Sequence, residues 1–165
     1  MGETMGNHVI KVQSAVLHIS PLGFHRYASE FLRAEQGFKI NDSFSPVPYY
    51  LICRSTELAL KAFLLAKGVP KRTLKGRTLG HDLEKVLKNA ISLGLDKVLS
   101  ITPQYKEELR KANNYYASKG FEYFEVTRAA TGYLNLPDLR LLSDFASLLV
   151  SKLKPFCLKA TDGPL

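Results

Sequence analysis

Cysteine is scarce in this chain, and the two that occur, Cys53 and Cys157, stand far apart with no CxxC spacing. That excludes a disulfide scaffold and offers no zinc site, so both thiols are expected to be buried or incidental. Metal-ligand patterns are equally thin. His18 and His25 are seven residues apart, and no cysteine or paired carboxylate joins them, so neither a metal nor a cofactor is expected. No window holds eighteen unbroken apolar residues, which excludes a membrane-spanning helix and argues against a membrane partner. Met1 to Asn7 lacks the basic-then-apolar order of a secretory signal, and cytoplasmic residence is the expectation. Acidic residues are outnumbered, 15 against 23 basic ones, giving a formal charge of +8. Such a balance favours polyanionic partners through long-range attraction. From Lys61 to Arg77 there are six basic residues and no acidic one.

The remaining composition is that of a globular protein: 165 residues, 45% apolar and 23% charged, enough for one domain with its own core. The chain is organised around Tyr49 to Ala66, a run apolar on nearly every side, without internal Gly or Pro and too long for an ordinary strand. Helices of that kind lie at the centre of a domain. Its polar stripe is Arg54, Glu57 and Lys61, which share one face at i, i+3 and i+7. Ser20-Pro21 predicts the start of a first helix that ends near Gly37. Phe38 to Pro48 reads as a connector that Pro46 and Pro48 hold extended. Gly68-Val69-Pro70 ends the central helix, and Lys71 to Gly80 reads as a mobile basic loop.

A third helix carries the stripe Leu83, Val86, Leu87, Ala90 and Ile91, opens under Asp82 and stops near Gly94. Thr102-Pro103 opens a fourth, running to about Ala117. Phe121 to Tyr133 reads as a packed aromatic loop. Asn135 to Asp138 caps a last helix, which Pro155 is expected to close. The sum is an all-α antiparallel bundle of about five helices. Residues 1–19 form an arm of uncertain structure, 20–155 the helical domain and 156–165 a flexible tail.

Two motifs are distinctive. Arg54-Ser-Thr-Glu-Leu-Ala-Leu-Lys-Ala-Phe-Leu64 contains a Ser-x-Glu-x-x-x-Lys pattern, and Gly80-His-Asp-Leu-Glu-Lys-Val-Leu87 opens the next helix. In this order they resemble HEPN domains (higher eukaryotes and prokaryotes nucleotide-binding), and the match in element order covers roughly Pro21 to Lys154. The resemblance implies an all-α bundle and a homodimer. It also implies one of two activities. Many such domains are metal-independent ribonucleases of the toxin or defence type, which use an Arg followed, after four to six residues, by a His on a late helix. Others are binding, dimerisation or nucleotidyltransferase-associated modules.

The chain departs from the ribonuclease pattern where it matters. The matching helix reads Arg110-Lys-Ala-Asn-Asn114-Tyr115-Tyr116, and all four histidines precede residue 82. Cleavage through a 2′-hydroxyl needs a proton acceptor and a donor, roles that His fills near neutral pH and that Tyr, with a pKa near ~10, fills poorly. The expectation is a non-catalytic binding or regulatory module with affinity for RNA or nucleotides. The alternatives are a ribonuclease built on Arg110 with Tyr115 or Tyr116, or recruiting His81, and a protein partner of a nucleotidyltransferase-type protein.

Arg54, Glu57, Lys61, His81, Arg110 and Asn114 are the candidate ligand contacts, with Lys71, Arg72, Lys75 and Arg77 as a basic loop beside them. Each has a plainer reading. Glu57 is placed to pair with Lys61 at i+4 and Arg54 at i−3. Asp82 and His81 suit capping at a helix start, with His81 on loop or helix backbone. The Arg110–Tyr116 stretch suits an exposed polar face, and the basic loop suits solvent or nonspecific phosphate contact.

Overall fold

A computed structural model describes residues 20–41, 44–75, 78–123 and 131–160. The arm over 1–19, Arg77, residues 124–130 of the aromatic stretch and residues 161–165 lie outside the described residues. Helix α1 spans Pro21–Gln36. Ser20 holds an extended backbone and its Oγ accepts the Gly23 N–H at 3.0 Å, while Pro21 occupies the first position, where no N–H is needed.

Helix α2 spans Val47–Ala66, and so starts inside the expected connector. Pro46 is already in the right-handed region and Pro48 sits in the first turn. A proline is tolerated there because first-turn N–H groups have no intrahelical acceptor to lose. Every residue from Ser55 to Leu64 is buried, which makes α2 the central helix. It ends in a Schellman turn: Gly68 takes φ +85°, its N–H bonds Leu65 O at 2.9 Å, and the Val69 N–H bonds Leu64 O at 3.0 Å.

The basic stretch that follows differs from the expected loop. Lys71–Lys75 is a short helix, α3. Leu74 and Leu79 are 2% and 3% exposed, so two leucines anchor the run to the core while Lys71, Arg72 and Lys75 face solvent.

Helix α4, Leu83–Ser92, is capped by Asp82, whose Oδ1 accepts the Lys85 N–H at 3.1 Å. Gly94 turns the chain at φ +90° into a short 3₁₀ turn, Leu95–Lys97. Helix α5, Pro103–Tyr116, is capped by the Thr102 hydroxyl.

Helix α6 spans Leu139–Lys159 and runs through Pro155 rather than stopping there. The exposed proline forfeits one backbone hydrogen bond, but the residues after it are held by packing. Phe156 meets Phe63 of α2 edge-on at 6.0 Å, Cys157 is fully buried, and the Lys67 ammonium lies over both rings.

Helices α1, α2 and α6 pack against one another, and α4 and α5 pack together and on α2. Among the described residues there is no strand, and no helix is long and apolar enough to cross a membrane. The fold is an all-α helical bundle. Cys53 and Cys157 are buried in its interior and form no disulfide. Burial, with Glu57 nearby, pushes Cys53 far up, and burial lifts Cys157 to about 11, so both stay protonated near neutral pH.

Candidate functional site

The polar stripe of α2 converges on Glu57, which is 1% exposed. Its Oε1 accepts from Lys61 Nζ at 2.6 Å. Its Oε2 accepts from Arg54 Nη1 at 3.1 Å, from the Tyr116 hydroxyl of α5, and lies 3.1 Å from His81 Nδ1. Four partners therefore occupy the roughly four acceptor sites of a carboxylate. Lys61 makes a second contact, donating to Gly80 O at 2.6 Å, so one ammonium joins α2 to the turn before α4.

The electrostatics follow from that geometry. Burial pushes the Glu57 carboxyl up. The charge and hydrogen bond of Lys61, the Tyr116 hydrogen bond and the Arg54 charge outweigh it, leaving the group below the usual glutamate range and ionised. Burial, the Glu57 charge and the Glu57 hydrogen bond push Tyr116 well above the ordinary tyrosine value. Tyr116 is thus a fixed donor and no general base. An ionised Glu57 requires the proton of a neutral His81 on Nδ1, which leaves Nε2 as an acceptor.

Both readings of the stripe meet here. Glu57 and Lys61 are a buried ion pair, while Arg54 keeps 29% of its side chain exposed and His81 keeps 55%. These two open into a cleft of about 240 Å³, lined also by Phe24, Lys75, Leu74 and Gly80. His81 does not cap backbone as expected. Asp82 does the capping, and the His81 ring stands on Glu57 and edge-on to Tyr116 at 6.2 Å.

The stretch from Arg110 to Tyr116 does not form one site. Arg110 is exposed and held bidentate by Glu107 at 2.9 and 2.7 Å. The Tyr115 hydroxyl donates to Leu134 O, and its ring packs on Phe121 and Tyr133. Only Tyr116 turns toward Glu57. Asn114 is exposed on α5, and Lys71 and Arg72 are exposed on α3 without lining the cleft, whereas Lys75 does line it.

The sequence offered no sign of one contributor and assigned another a different role. Phe24 reads as one more apolar position of α1. Asn113 reads with Arg110, Asn114, Tyr115 and Tyr116 as a phosphate- or base-holding group, but it is buried and clasps α5 to the start of α4. Its Oδ1 accepts the Leu83 N–H at 2.8 Å, and its Nδ2 donates to Asp82 at 3.1 Å and Glu84 at 3.2 Å. That clasp fixes the residues next to His81. Asn113→Ala is expected to cost about 1–3 kcal/mol in urea denaturation, because it orphans a buried N–H and two carboxylate contacts. A loss within 0.3 kcal/mol of zero, on the order of measurement scatter, would show the clasp to be incidental.

A larger groove of about 450 Å³ lies between α1 and α6. It is an open helix seam bridged by His25 Nε2 and Val150 O at 2.7 Å, and its Arg26, Arg33 and Lys154 lie along the surface beside Glu30 without a buried carboxylate like Glu57 to gather them. No protein-family model, curated protein or solved structure matches the chain. The site's own residues carry the functional reading.

Proposed function

We propose that the protein is a HEPN-like, non-catalytic module that binds RNA or nucleotides through the Glu57 cleft. One observation carries this reading. The cleft is lined by three cations, Arg54, Lys61 and Lys75, against the single carboxylate Glu57. That carboxylate is already saturated by its own donors. The surplus charge and the exposed edges of Arg54 and His81 suit a phosphate, as does the overall charge of +8.

The test is an RNA mobility-shift titration with single-stranded RNA at several salt concentrations, run beside a metal-free cleavage assay. With two exposed cations, Arg54 and Lys75, on phosphate, log affinity should fall against log salt with a slope of about −1.4. Arg54→Gln with Lys75→Gln should weaken binding and flatten that slope. No shift at low salt would sink the reading and turn the search to a protein partner of the nucleotidyltransferase type.

A second reading has its own observation. His81 is half exposed and oriented by a buried carboxylate, which is how a proton-transferring histidine is held. In a metal-independent ribonuclease, His81 would act in place of the histidine that α5 lacks. Cleavage that survives Arg110→Ala and disappears in His81→Ala would establish that reading over the binding module.

A further inference from the structure

We infer that the cleft seats one nucleotide unit, its base against the Phe24 ring and its phosphate on Arg54 and Lys75. The inference rests on the RNA-or-nucleotide reading and narrows it. Size comes first. At about 240 Å³ the open cleft falls below the roughly 300–1,000 Å³ of ordinary small-molecule pockets, so it takes at most one nucleotide unit, part of it in solvent, and excludes a duplex.

The lining also carries two kinds of chemistry, an aromatic ring and a group of cations. The floor is α2, with Arg54, Glu57 and Lys61. Helices α1 and α4 both pack on α2 and barely touch each other, so they flank that floor. One flank, α1, brings the half-buried Phe24, which packs on the core and also lines the cleft, where its ring suits a base of any identity. The other brings His81 from the turn before α4, with Lys75 of α3 beside it. A phosphate settles there without repulsion from the floor, because Lys61, Arg54, His81 and Tyr116 already surround the Glu57 carboxylate.

The shared chemistry is a nucleoside with a phosphate, either a free nucleotide or the phosphorylated end of a strand. Calorimetric titration of the full chain with AMP, adenosine and inorganic phosphate tests the seat. Single-stranded RNA bearing a 5′-phosphate or a 5′-hydroxyl then separates the two sources. AMP should bind at least about tenfold tighter than either fragment, the scale of one stacked base. Phe24→Leu, which keeps the bulk and loses the flat face, should weaken AMP about tenfold and leave phosphate binding unchanged. Lys75→Gln, on the surface of α3, should weaken AMP and phosphate alike, and it keeps the test open should the Phe24 variant fold poorly.

A preference for the 5′-phosphorylated strand assigns the seat to strand ends, and AMP binding without that preference assigns it to the free nucleotide. Phosphate binding as tightly as AMP would overturn the inference, and so would AMP affinity unchanged in Phe24→Leu. RNA shifts without AMP binding would overturn the single-nucleotide seat while leaving the RNA-binding reading standing. Absence of both would overturn the two together.

Discussion

Glu57→Gln should lower the stability of the fold by about 3–5 kcal/mol, the loss that follows when one partner of a buried ion pair is removed. Lys61 is the reason. Its side chain is 7% exposed, and with Glu57 neutralised it loses its counter-charge and keeps only neutral acceptors, the Gly80 carbonyl and the amide oxygen. The amide also brings a donor into a ring of donors, since Arg54, Lys61 and Tyr116 all point hydrogens at the same carboxylate. Replacing both members, Glu57→Gln with Lys61→Met, should recover part of the loss, because no buried ammonium is then left without its counter-charge. Urea denaturation of the two variants decides the matter, and a single-variant loss below ~1 kcal/mol would mean the pair behaves as a surface contact.

The same carboxyl sets an acid limb. Its folded pKa lies below the ordinary value of 4.5, so its contribution is full above that value and is lost as the pH falls through the lower, folded value. The wild-type stability curve should therefore drop below about pH 4.5 more steeply than that of Glu57→Gln.

How far the sequence reaches is visible in this cluster. The i+4 spacing of Glu57 and Lys61 and the i−3 spacing of Arg54 are properties of one helix, so that part could be read directly. Tyr116 is 59 residues from Glu57 and His81 is 24 residues away. Their convergence depends on how α4 and α5 pack on α2, which periodicity does not encode. Caps were legible for the same local reason. Ser20, Asp82, Thr102 and Asp138 each satisfy an amide three residues on.

The readings that needed changing were local preferences overruled by packing. Pro46 and Pro48 suggested extended chain, yet a helix start accepts one as its cap and the other in its first turn. The basic run suggested a loop, yet Leu74 and Leu79 had core to reach. Arg110, Tyr115 and Tyr116 lie near one another in sequence, but successive residues of a helix face different ways, and each found a separate partner.

Ending the chain after Lys154 should cost about 3 kcal/mol, although a proline at the next position would ordinarily mark the end of a helix. What lies beyond Pro155 in the described residues is structural. Cys157 is 0% exposed, and Phe156 covers the otherwise buried Phe63. Truncation removes two apolar side chains from the core, exposes part of a third and breaks the edge-to-face pair, each worth on the order of 0.5–1.5 kcal/mol here. Lys67 would also lose one of the two rings beneath its ammonium.

The control is Pro155→Ala. It restores the backbone donor to the Ser151 carbonyl and relieves the ring clash, and should raise stability by about 1 kcal/mol or more. If the helix ended at Pro155, neither change would register. A truncation that costs nothing, together with a neutral Pro155→Ala, would place the true end of α6 before the proline. A loss on one side and a gain on the other would show that packing on Phe63 carries the helix through a residue that opposes it.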